Sequence, residues 1–481
     1  MSKLSLWKVV ILMCVFCAAG VIGISAQSFT SLVSFDQTNG AHPYYGSLVQ
    51  GIDGNLYGTT FAVPASTYGT VFRITPGGAL TTLHSFDSTD GANPSGGLVQ
   101  APDGSFYGTT YAGGIFGSSG TVFKISPGGT LTPLHSFDAS DGLYPYAGLV
   151  QAPSGSFYGT TAYGGVNGYG TVSKIAPGGT LTTLYSFCVQ TNCTDGAGPY
   201  AGLVQGTNGN LYGTTYNGGA GASNCAFSGC GTVFRVSPGG TLTKLHSFHF
   251  SDGAFPYAGL VQARDGNFYG TTAGGGGAAS ACNFYGCGTV FKITPGGTMT
   301  TLYHSCAQTN CTDGAFPYAG LVQGTDENFY GTTAGGGEYG DGTVFRITPA
   351  GALAVLHSFN GTDGSSPYGG LVQATNGTFY GTTYAGGANG YGTIFSLAVG
   401  LGLFVKTLPT TGKVGATVII LGNNLTGATG VTFNGTPAAT FKVVSSTEIK
   451  TSVPSGATTG FVKVTTPRGT LTSNLDFRVL P

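Results

Sequence analysis

Eight of the ten cysteines give the sharpest chemical signal in the chain, because they fall into four pairs with the same spacing of five residues. The pairs are Cys188 with Cys193, Cys225 with Cys230, Cys282 with Cys287, and Cys306 with Cys311. Pairs of this kind form local disulfides in an oxidising compartment. Zinc is the alternative, but structural zinc sites favour cysteine spacings of two to four residues and need two pairs brought together. The spacing therefore predicts four disulfides that stiffen loops, and no metal site.

Acid–base chemistry has few candidate residues, since glutamate occurs only three times in the 481 residues. Glu338 and Asp341 are close in sequence and could act as a carboxylate pair of the kind that glycosidases use. Their spacing alone does not establish such a pair, and carboxylates of this sort are more often simply solvated. The sequence therefore favours a protein without catalysis or cofactor, and a polysaccharide-degrading enzyme is the alternative.

The chain contains seven copies of a unit of about fifty residues, and each copy carries the segment Tyr-Gly-Thr-Thr. Glycine-rich repeats of this length are typical of a β-propeller, in which each unit is one sheet that needs its neighbours to bury its faces. The Tyr-Gly-Thr-Thr segments begin at Tyr57, Tyr107, Tyr158, Tyr212, Tyr269, Tyr330 and Tyr380.

Each repeat has the pattern of a four-strand meander, at residues 97–100, 106–110, 120–125 and 131–137 in the second copy. Two-residue turns such as Asp103-Gly104 are the strongest short signal for a hairpin. Antiparallel hairpins argue against a parallel β-helix, which is the alternative architecture.

The two ends of the repeat region predict a closed ring. Residues 29–35 match the fourth strand of the first repeat, residues 80–86, while the seventh repeat stops after its third strand. The chain start would then supply the missing outer strand and leave no open edge. The predicted fold is all-β, with a seven-bladed β-propeller closed by an N-terminal outer strand and followed by an immunoglobulin-like β-sandwich.

The chain divides into four predicted segments. Residues 1–26 combine a basic start with an apolar run and are interpreted as a signal peptide, with an uncleaved membrane anchor as the alternative. Residues 27–398 are the propeller, residues 399–403 a linker and residues 404–481 the sandwich. We expect a secreted or extracytoplasmic protein, in the periplasm or at the cell surface of a bacterium, with no membrane span in the mature chain.

Two family resemblances support this division. The C-terminal segment resembles the immunoglobulin-like IPT/TIG domain, including a Phe-Asn-Gly-Thr-Pro-Ala hairpin at residues 433–438 and a closing run at residues 469–474. This resemblance implies an accessory or interaction module and carries over no catalytic residue. The seven copies resemble the tandem GloVer repeat of exported bacterial proteins. The C-terminal anchors of that family vary, and the resemblance implies no particular activity.

Charged residues are sparse, at 7% of the chain, and the net charge is −1. A nucleic-acid-binding protein needs a basic stripe that replaces counterions on phosphates. The 17 lysines and arginines are instead spread singly along the chain, and only eight of them lie in the repeats. Nucleic acid is therefore excluded as a partner.

The variation between repeats falls at one end of the predicted sheets. In a four-strand meander, the second connection and the link to the next repeat share one end, while two tight turns share the other. The second connection is longest in the two repeats that carry Cys225–Cys230 and Cys282–Cys287, and the links carry the other two pairs. Loops that vary while their counterparts stay minimal mark a candidate binding face.

Aromatic residues are frequent in these variable loops. Tyrosine offers a flat apolar face and one hydroxyl, which suit the C–H faces and hydroxyls of a sugar. For the tyrosine that follows proline in six of the seven links, packing between neighbouring repeats is the alternative, and the exception is Ser95. The candidate ligand-binding residues are Tyr146, Tyr169, Tyr200, Tyr257, Phe284, Tyr285, Tyr318, Tyr339, Tyr368 and Tyr391.

Other recurrent residues are interpreted structurally. An aspartate precedes glycine in six links and predicts a turn that bonds its own backbone, with calcium as the alternative. Histidines recur at one position of the fourth strand and are interpreted as packing residues. Ser305 stands where every other repeat has phenylalanine, and the sequence does not explain it. The recurrent histidines are His84, His135, His246 and His357.

Together these patterns predict an exported, non-enzymatic binding or cell-surface interaction protein. A polysaccharide or surface glycan is the favoured partner. A scaffold that binds other surface proteins is a further alternative.

Overall fold

The computed structural model describes residues 27–61, 68–220, 225, 229–277, 282 and 285–481. Within these ranges the protein is all-β, with single 3-10 turns at Thr191–Cys193 and Thr309–Cys311. No helix in the described ranges is long and apolar enough to cross a membrane. The predicted signal peptide, residues 1–26, lies outside the described residues.

Each of the seven repeats forms one four-stranded antiparallel sheet. From one long side to the other we name its members the inner, second, third and outer strands. The inner strands are Val49–Gln50, Val99–Gln100, Val150–Gln151, Val204–Gln205, Val261–Gln262, Val322–Gln323 and Val372–Gln373. The second strands are Leu56–Thr60, Phe106–Thr110, Phe157–Thr161, Leu211–Thr215, Phe268–Thr272, Phe329–Thr333 and Phe379–Thr383.

The third and outer strands complete each sheet. The third strands are Thr70–Ile74, Thr121–Ile125, Thr171–Ile175, Thr232–Val236, Thr289–Ile293, Thr343–Ile347 and Thr393–Ala398. The outer strands of the first six sheets are Leu80–Ser85, Leu131–Ser136, Leu181–Ser186, Leu242–Ser247, Met299–His304 and Leu353–Ser358. In the seventh sheet, the chain start Ser28–Ser34 pairs antiparallel with Thr393–Ala398 and takes the outer position.

Glycine at the centre of Tyr-Gly-Thr-Thr is required by close packing. A Cβ on Gly58 would lie 2.6 Å from both the Leu48 and the Phe72 side chains, which is too close for any side chain. The preceding tyrosine instead packs on the next repeat, since the ring centroids of Tyr57 and Phe106 are 4.1 Å apart. This contact recurs in other repeats, so the tyrosine ties one sheet to its neighbour.

The glutamine that recurs in every inner strand links neighbouring tight turns. The amide oxygen of Gln100 accepts a hydrogen bond from the backbone N–H of Ile52, at 3.0 Å. The same pattern joins the last repeat to the first, because the N–H of Thr375 donates to the amide oxygen of Gln50, at 2.9 Å.

The C-terminal residues form two further sheets around one apolar core that includes Val418, Phe433, Val462 and Phe477. One sheet has the order Lys406–Leu408, Thr417–Leu421, Glu448–Ser452, Phe441–Val443. The other has the order Thr411–Lys413, Gly469–Leu480, Gly460–Thr466, Gly430–Phe433, Thr436–Pro437.

This sandwich contacts the turns between inner and second strands, at what we call the tight-turn end of the repeats. Two guanidinium nitrogens of Arg264 donate to the backbone oxygen of Asn474, at 2.6 and 3.0 Å. The Thr447 hydroxyl donates to the backbone oxygen of Ile52, at 3.0 Å. The second connections and the links lie at the opposite end, which we call the loop end.

Candidate functional site

Tyrosines that follow proline in the links pack against one another at the loop end of the inner strands. The ring centroids of successive members are 4.8 to 5.4 Å apart along the series Tyr146, Tyr200, Tyr257, Tyr318 and Tyr368. Tyr368 is in turn 5.5 Å from Tyr44. We call these six residues and Tyr45 the tyrosine ring. Five of the predicted ligand contacts therefore lie together, half-buried against their neighbours.

Tyr45 is the member of the ring that sequence reasoning missed. Its ring lies 4.0 Å from Tyr44, 5.7 Å from Tyr257 and 5.8 Å from Tyr368, and it reaches Tyr146 at 6.5 Å. The position between Tyr44 and Tyr146 in repeat order is the buried Ser95. The available signal was the double tyrosine of the first link, directly before the repeat that lacks one.

Burial sets the protonation state of the tyrosine ring. It raises the pKa of Tyr45, Tyr146, Tyr200 and Tyr257 well above the usual value for a phenol. Their hydroxyls consequently stay neutral and can donate hydrogen bonds. The hydroxyls of Tyr200 and Tyr163 are already joined, at 2.7 Å.

The residue before each link proline adopts a left-handed backbone conformation in all seven repeats. Its φ lies between 53° and 64°, which is unfavourable for bulky side chains. In every case its N–H donates to one neighbouring loop and its carbonyl accepts from the residue after Tyr-Gly-Thr-Thr. Strained backbone held in this way clusters at binding sites. The seven residues are His42, Asn93, Tyr144, Gly198, Phe255, Phe316 and Ser366.

The second connections carry the most exposed aromatic side chains of the loop end. Tyr285 is 68% exposed, Tyr339 59% and Tyr169 49%. Tyr391 differs, because it is half-buried and its ring lies 5.5 Å from that of His42. Phe284 lies outside the described residues.

The two carboxylates that the sequence suggests as a pair have different surroundings in the structure. Asp341 accepts a hydrogen bond from the hydroxyl of Ser365 at 2.7 Å. Glu338 is exposed. The Asp341 carboxylate is therefore occupied by a bond that shapes the link.

The recurrent histidines do more than pack, which corrects their interpretation from sequence. His84 bonds the carboxylate of Asp90 through Nε2 at 2.7 Å, and that carboxylate also accepts the N–H of Asp87. Tyrosine replaces histidine in two repeats and bonds the equivalent aspartate, as Tyr303 does with Asp313 at 2.7 Å. The aspartate thus fixes both its own turn, as predicted, and the end of the outer strand.

A cavity of about 530 Å³ runs between the inner strands of all seven repeats. All members of the tyrosine ring except Tyr44 line one end of it. Lys406, Thr407, Leu408 and Leu421 of the sandwich line the other end. The ammonium group of Lys406 donates to the backbone oxygen of Gln373, and burial lowers its pKa to about 8.

The eight paired cysteines form four disulfides, each between the partners that the spacing predicts. Disulfides persist in oxidising compartments and are rare in the cytosol. They are therefore consistent with an extracellular protein.

Comparisons with known proteins find two families in the chain. A family model for the Gloeobacter/Verrucomicrobia repeat matches residues 21–227, 188–281 and 277–431. A model for the IPT/TIG domain matches residues 405–479. The repeats and this domain together indicate an extracellular or surface protein. No significant match was found among curated proteins.

Solved structures give only distant likenesses. A Bacteroides fragilis protein provisionally assigned as a 6-phosphogluconolactonase is 16% identical, with 68% of this chain and 88% of its own covered, and a TM-score of 0.45. A gluconolactonase from Xanthomonas campestris is 11% identical, with 78% and 90% covered, and a TM-score of 0.39. Likenesses at this level carry no argument about activity. On the family matches, the chain belongs to the Gloeobacter/Verrucomicrobia repeat family and carries an IPT/TIG domain at its C-terminal end.

Proposed function

We propose that the seven repeat sheets form a closed seven-bladed β-propeller over residues 27–398, joined by residues 399–403 to the IPT/TIG domain at residues 404–481. The pairing of Ser28–Ser34 with Thr393–Ala398 supports closure. So does an apolar cluster that combines Phe72 of the first repeat with Tyr380 of the last.

We further propose that the protein is an exported, non-enzymatic binding or cell-surface interaction protein that uses its loop end. One observation carries this proposal. The sandwich contacts the tight-turn end through Arg264 and Thr447, while the opposite end exposes Tyr169, Tyr285 and Tyr339 around the tyrosine ring. Exposed aromatic clusters on a soluble protein mark interaction sites.

Carbohydrate is the ligand class that we propose for this face. Neutral tyrosine hydroxyls can bond sugar hydroxyls, and exposed tyrosine rings can stack on the C–H faces of a sugar. The loop end also lacks the dense positive charge that an anionic polymer would need, since the whole chain has 17 lysines and arginines.

The first experiment is depletion of the purified protein by a panel of soluble and insoluble polysaccharides, with new reducing ends assayed in the same tubes. Depletion without new reducing ends supports a carbohydrate-binding protein. New reducing ends would replace this proposal with a polysaccharide-degrading enzyme. The absence of both signals would contradict carbohydrate as the ligand and favour a protein partner.

Replacement of the most exposed aromatic should weaken binding to any polysaccharide that scores in this panel. We expect Tyr285→Ala to lower affinity about tenfold, because an aromatic contact is worth on the order of 1 kcal/mol. Val444→Ala is the matched control, since Val444 is 43% exposed but lies in the sandwich. Equal affinities of the two variants in a depletion isotherm would count against the loop end.

A further inference from the structure

Two of the four cysteine pairs meet at one point of the loop end. The sulfur atoms of Cys282, Cys287, Cys306 and Cys311 all lie within 4.8 Å of one another. The first three residues are buried and Cys311 is half-buried, with Phe316 packed against the group. Sequence spacing argues against zinc partly because two pairs must be brought together, and here they are.

The convergence is specific to the fifth repeat. Cys282–Cys287 lies in the second connection of that repeat and Cys306–Cys311 in the link that follows it. The link with Cys188–Cys193 also contacts the loop with Cys225–Cys230, since the N–H of Gly219 donates to the backbone oxygen of Cys193. Among the described residues, however, only Cys282, Cys287, Cys306 and Cys311 bring their sulfur atoms together as a potential set of metal ligands.

The same repeat carries the unexplained serine, which is buried directly before the cluster. Ser305 is 4% exposed, and its N–H donates to the oxygen of Gly288 at 2.9 Å. The equivalent Phe248 of the repeat with one pair in its second connection is fully buried in an apolar core. Phenylalanine is thus replaced only where two cysteine pairs share the space, and the small serine leaves room for four sulfur atoms.

The link is held in place independently of its cysteines. The buried carboxylate of Asp313 accepts hydrogen bonds from the hydroxyl of Tyr303 and from the N–H groups of Ala307 and Gln308, at 2.7, 2.8 and 3.1 Å. These bonds fix the backbone on both sides of Cys306. The cysteines of the link would therefore keep their positions when the disulfide is reduced.

We propose that these four cysteines are a redox-dependent zinc site, with a tetrahedral four-thiolate Zn²⁺ centre in the reduced chain and two disulfides in the oxidised chain. Zinc–sulfur bonds of about 2.3 Å place the sulfurs of such a centre about 3.8 Å apart. The observed upper bound of 4.8 Å is therefore close to that geometry. The zinc centre would join the second connection to the link, whereas each disulfide of the oxidised chain closes within one of these loops.

The chemistry balances with an external thiol or phosphine reductant. Each disulfide takes up two electrons from the reductant and two protons, which gives four thiols in total. Zn²⁺ then displaces the four thiol protons to solvent and binds the four thiolates. Two equivalents of a two-electron oxidant such as a small-molecule disulfide reverse the exchange: they accept four electrons from the thiolates and four protons from solvent and leave as four small thiols, Zn²⁺ is released and both protein disulfides are restored.

Cobalt titration of the full, reduced chain tests this proposal after anaerobic removal of the reductant. We expect one Co²⁺ per chain, with tetrahedral d–d bands and a sulfur-to-cobalt charge-transfer band, and displacement by one Zn²⁺. The oxidised protein should give neither signal. A reduced protein without a stoichiometric tetrahedral thiolate spectrum would overturn the proposal, whatever the variants show.

The chain offers a closely matched control for the ligands. The loops at Cys188–Cys193 and Cys306–Cys311 share the sequence Cys-x-Gln-Thr-Asn-Cys-Thr-Asp-Gly-Ala, but only the second meets another pair. Cys306→Ser/Cys311→Ser should lose the four-sulfur spectrum and bind Co²⁺ at least a hundredfold more weakly, while Cys188→Ser/Cys193→Ser should bind like the wild type. Equal behaviour of the two double variants would contradict the assignment.

A third variant keeps all four ligands. Ser305→Phe restores the residue of the other repeats and should weaken Co²⁺ binding by crowding the cluster. Wild-type binding by this variant would show that the serine makes no room for the metal and would remove that part of the argument. Far-UV circular dichroism of each reduced variant verifies that the sheets persist.

Discussion

Lys406 shows how a single side chain at the base of the cavity can tune stability. Its ammonium group bonds the backbone oxygen of Gln373. Removal of an ammonium group from water is costly, so burial lowers the pKa of Lys406 to about 8. The neutral form of Lys406 therefore becomes the major one above about pH 8 in the folded protein.

The pH dependence of unfolding follows from this shift. The pKa of an unfolded lysine is 10.5 and the folded value is about 8, so the unfolded chain binds more protons between these values. The free energy of unfolding should then rise with pH across that window, by up to about 3 kcal/mol. Urea unfolding at pH 7 and pH 10 measures the rise, and Lys406→Met should abolish it.

Lys413→Met is the control for this prediction, because Lys413 is exposed in the same domain. It should keep the pH dependence of the wild type. A wild-type slope that survives Lys406→Met would assign the effect to other titrating groups, such as the tyrosines.

At the scale of residues, the sequence predicted local pairs of side chains better than contacts that depend on the fold. The pairing of the cysteines followed from spacing alone, because five residues close only a local loop. The hydrogen bond between His84 and Asp90 did not follow from spacing, because it depends on how the outer strand meets the following link in the folded protein. Lys406 carried no signal, as its burial depends on where the sandwich meets the repeats.

The strand at the chain start is the element with the greatest expected effect on stability. Ser28–Ser34 pairs with Thr393–Ala398, and Phe29 stacks on His357 at 3.6 Å between ring centroids. Deletion of residues 28–34 exposes one strand edge and several half-buried apolar side chains. We expect a loss on the order of 4 kcal/mol, measured by thermal and urea unfolding.

Thr30→Ala is the control for the deletion, because Thr30 is exposed on the same strand. It should change the free energy of unfolding by no more than about 0.5 kcal/mol. If the truncated protein melts like the wild type, the last sheet does not depend on the chain start.

Elements were predictable because the repeats carry their own turn signals. Asp103-Gly104 identified a hairpin, and Gly104 has the positive φ of 86° that the turn requires. The bulge between Val71 and Phe72, where the third and outer strands pair, gave no such signal. It depends on how one outer strand follows the twist of its sheet, which a local pattern does not encode.

The contact between sandwich and repeats is the feature of the whole molecule that one side chain tests most directly. Arg264 bonds the backbone oxygen of Asn474 twice, pairs with Glu327 at 3.3 Å and lies 5.2 Å from the Phe461 ring centroid. Arg264→Ala should weaken the contact between the sandwich and the repeats by about 2 kcal/mol of free energy. We expect proteolysis within residues 399–403 to accelerate by roughly tenfold or more.

Arg468→Ala is the matched control, since Arg468 is exposed on the sandwich. Its digestion rate should equal that of the wild type. An unchanged rate for Arg264→Ala would mean that the remaining contacts, including Thr447 to Ile52, suffice to hold the two parts together.

At the scale of the molecule, counting the repeats predicted the sheets but not the role of the residues that differ from one repeat to the next. Arg264 and Glu327 interrupt the repeat pattern. The structure pairs them with each other where Arg264 contacts the sandwich. Residues that break a repeat can therefore mark the attachment point of a second domain as readily as a reaction site.

The left-handed residue before each link proline has a consequence for how this scaffold could diversify. The backbone bonds of that residue recur in all seven repeats whatever its side chain, although His42 and Asn93 also bond neighbouring carbonyl oxygens through their side chains. The position already holds five different non-glycine residue types. The loop end thus presents seven variable residues on one constant backbone. Substituting these residues one at a time would give a family of receptors with different ligand preferences and a single architecture.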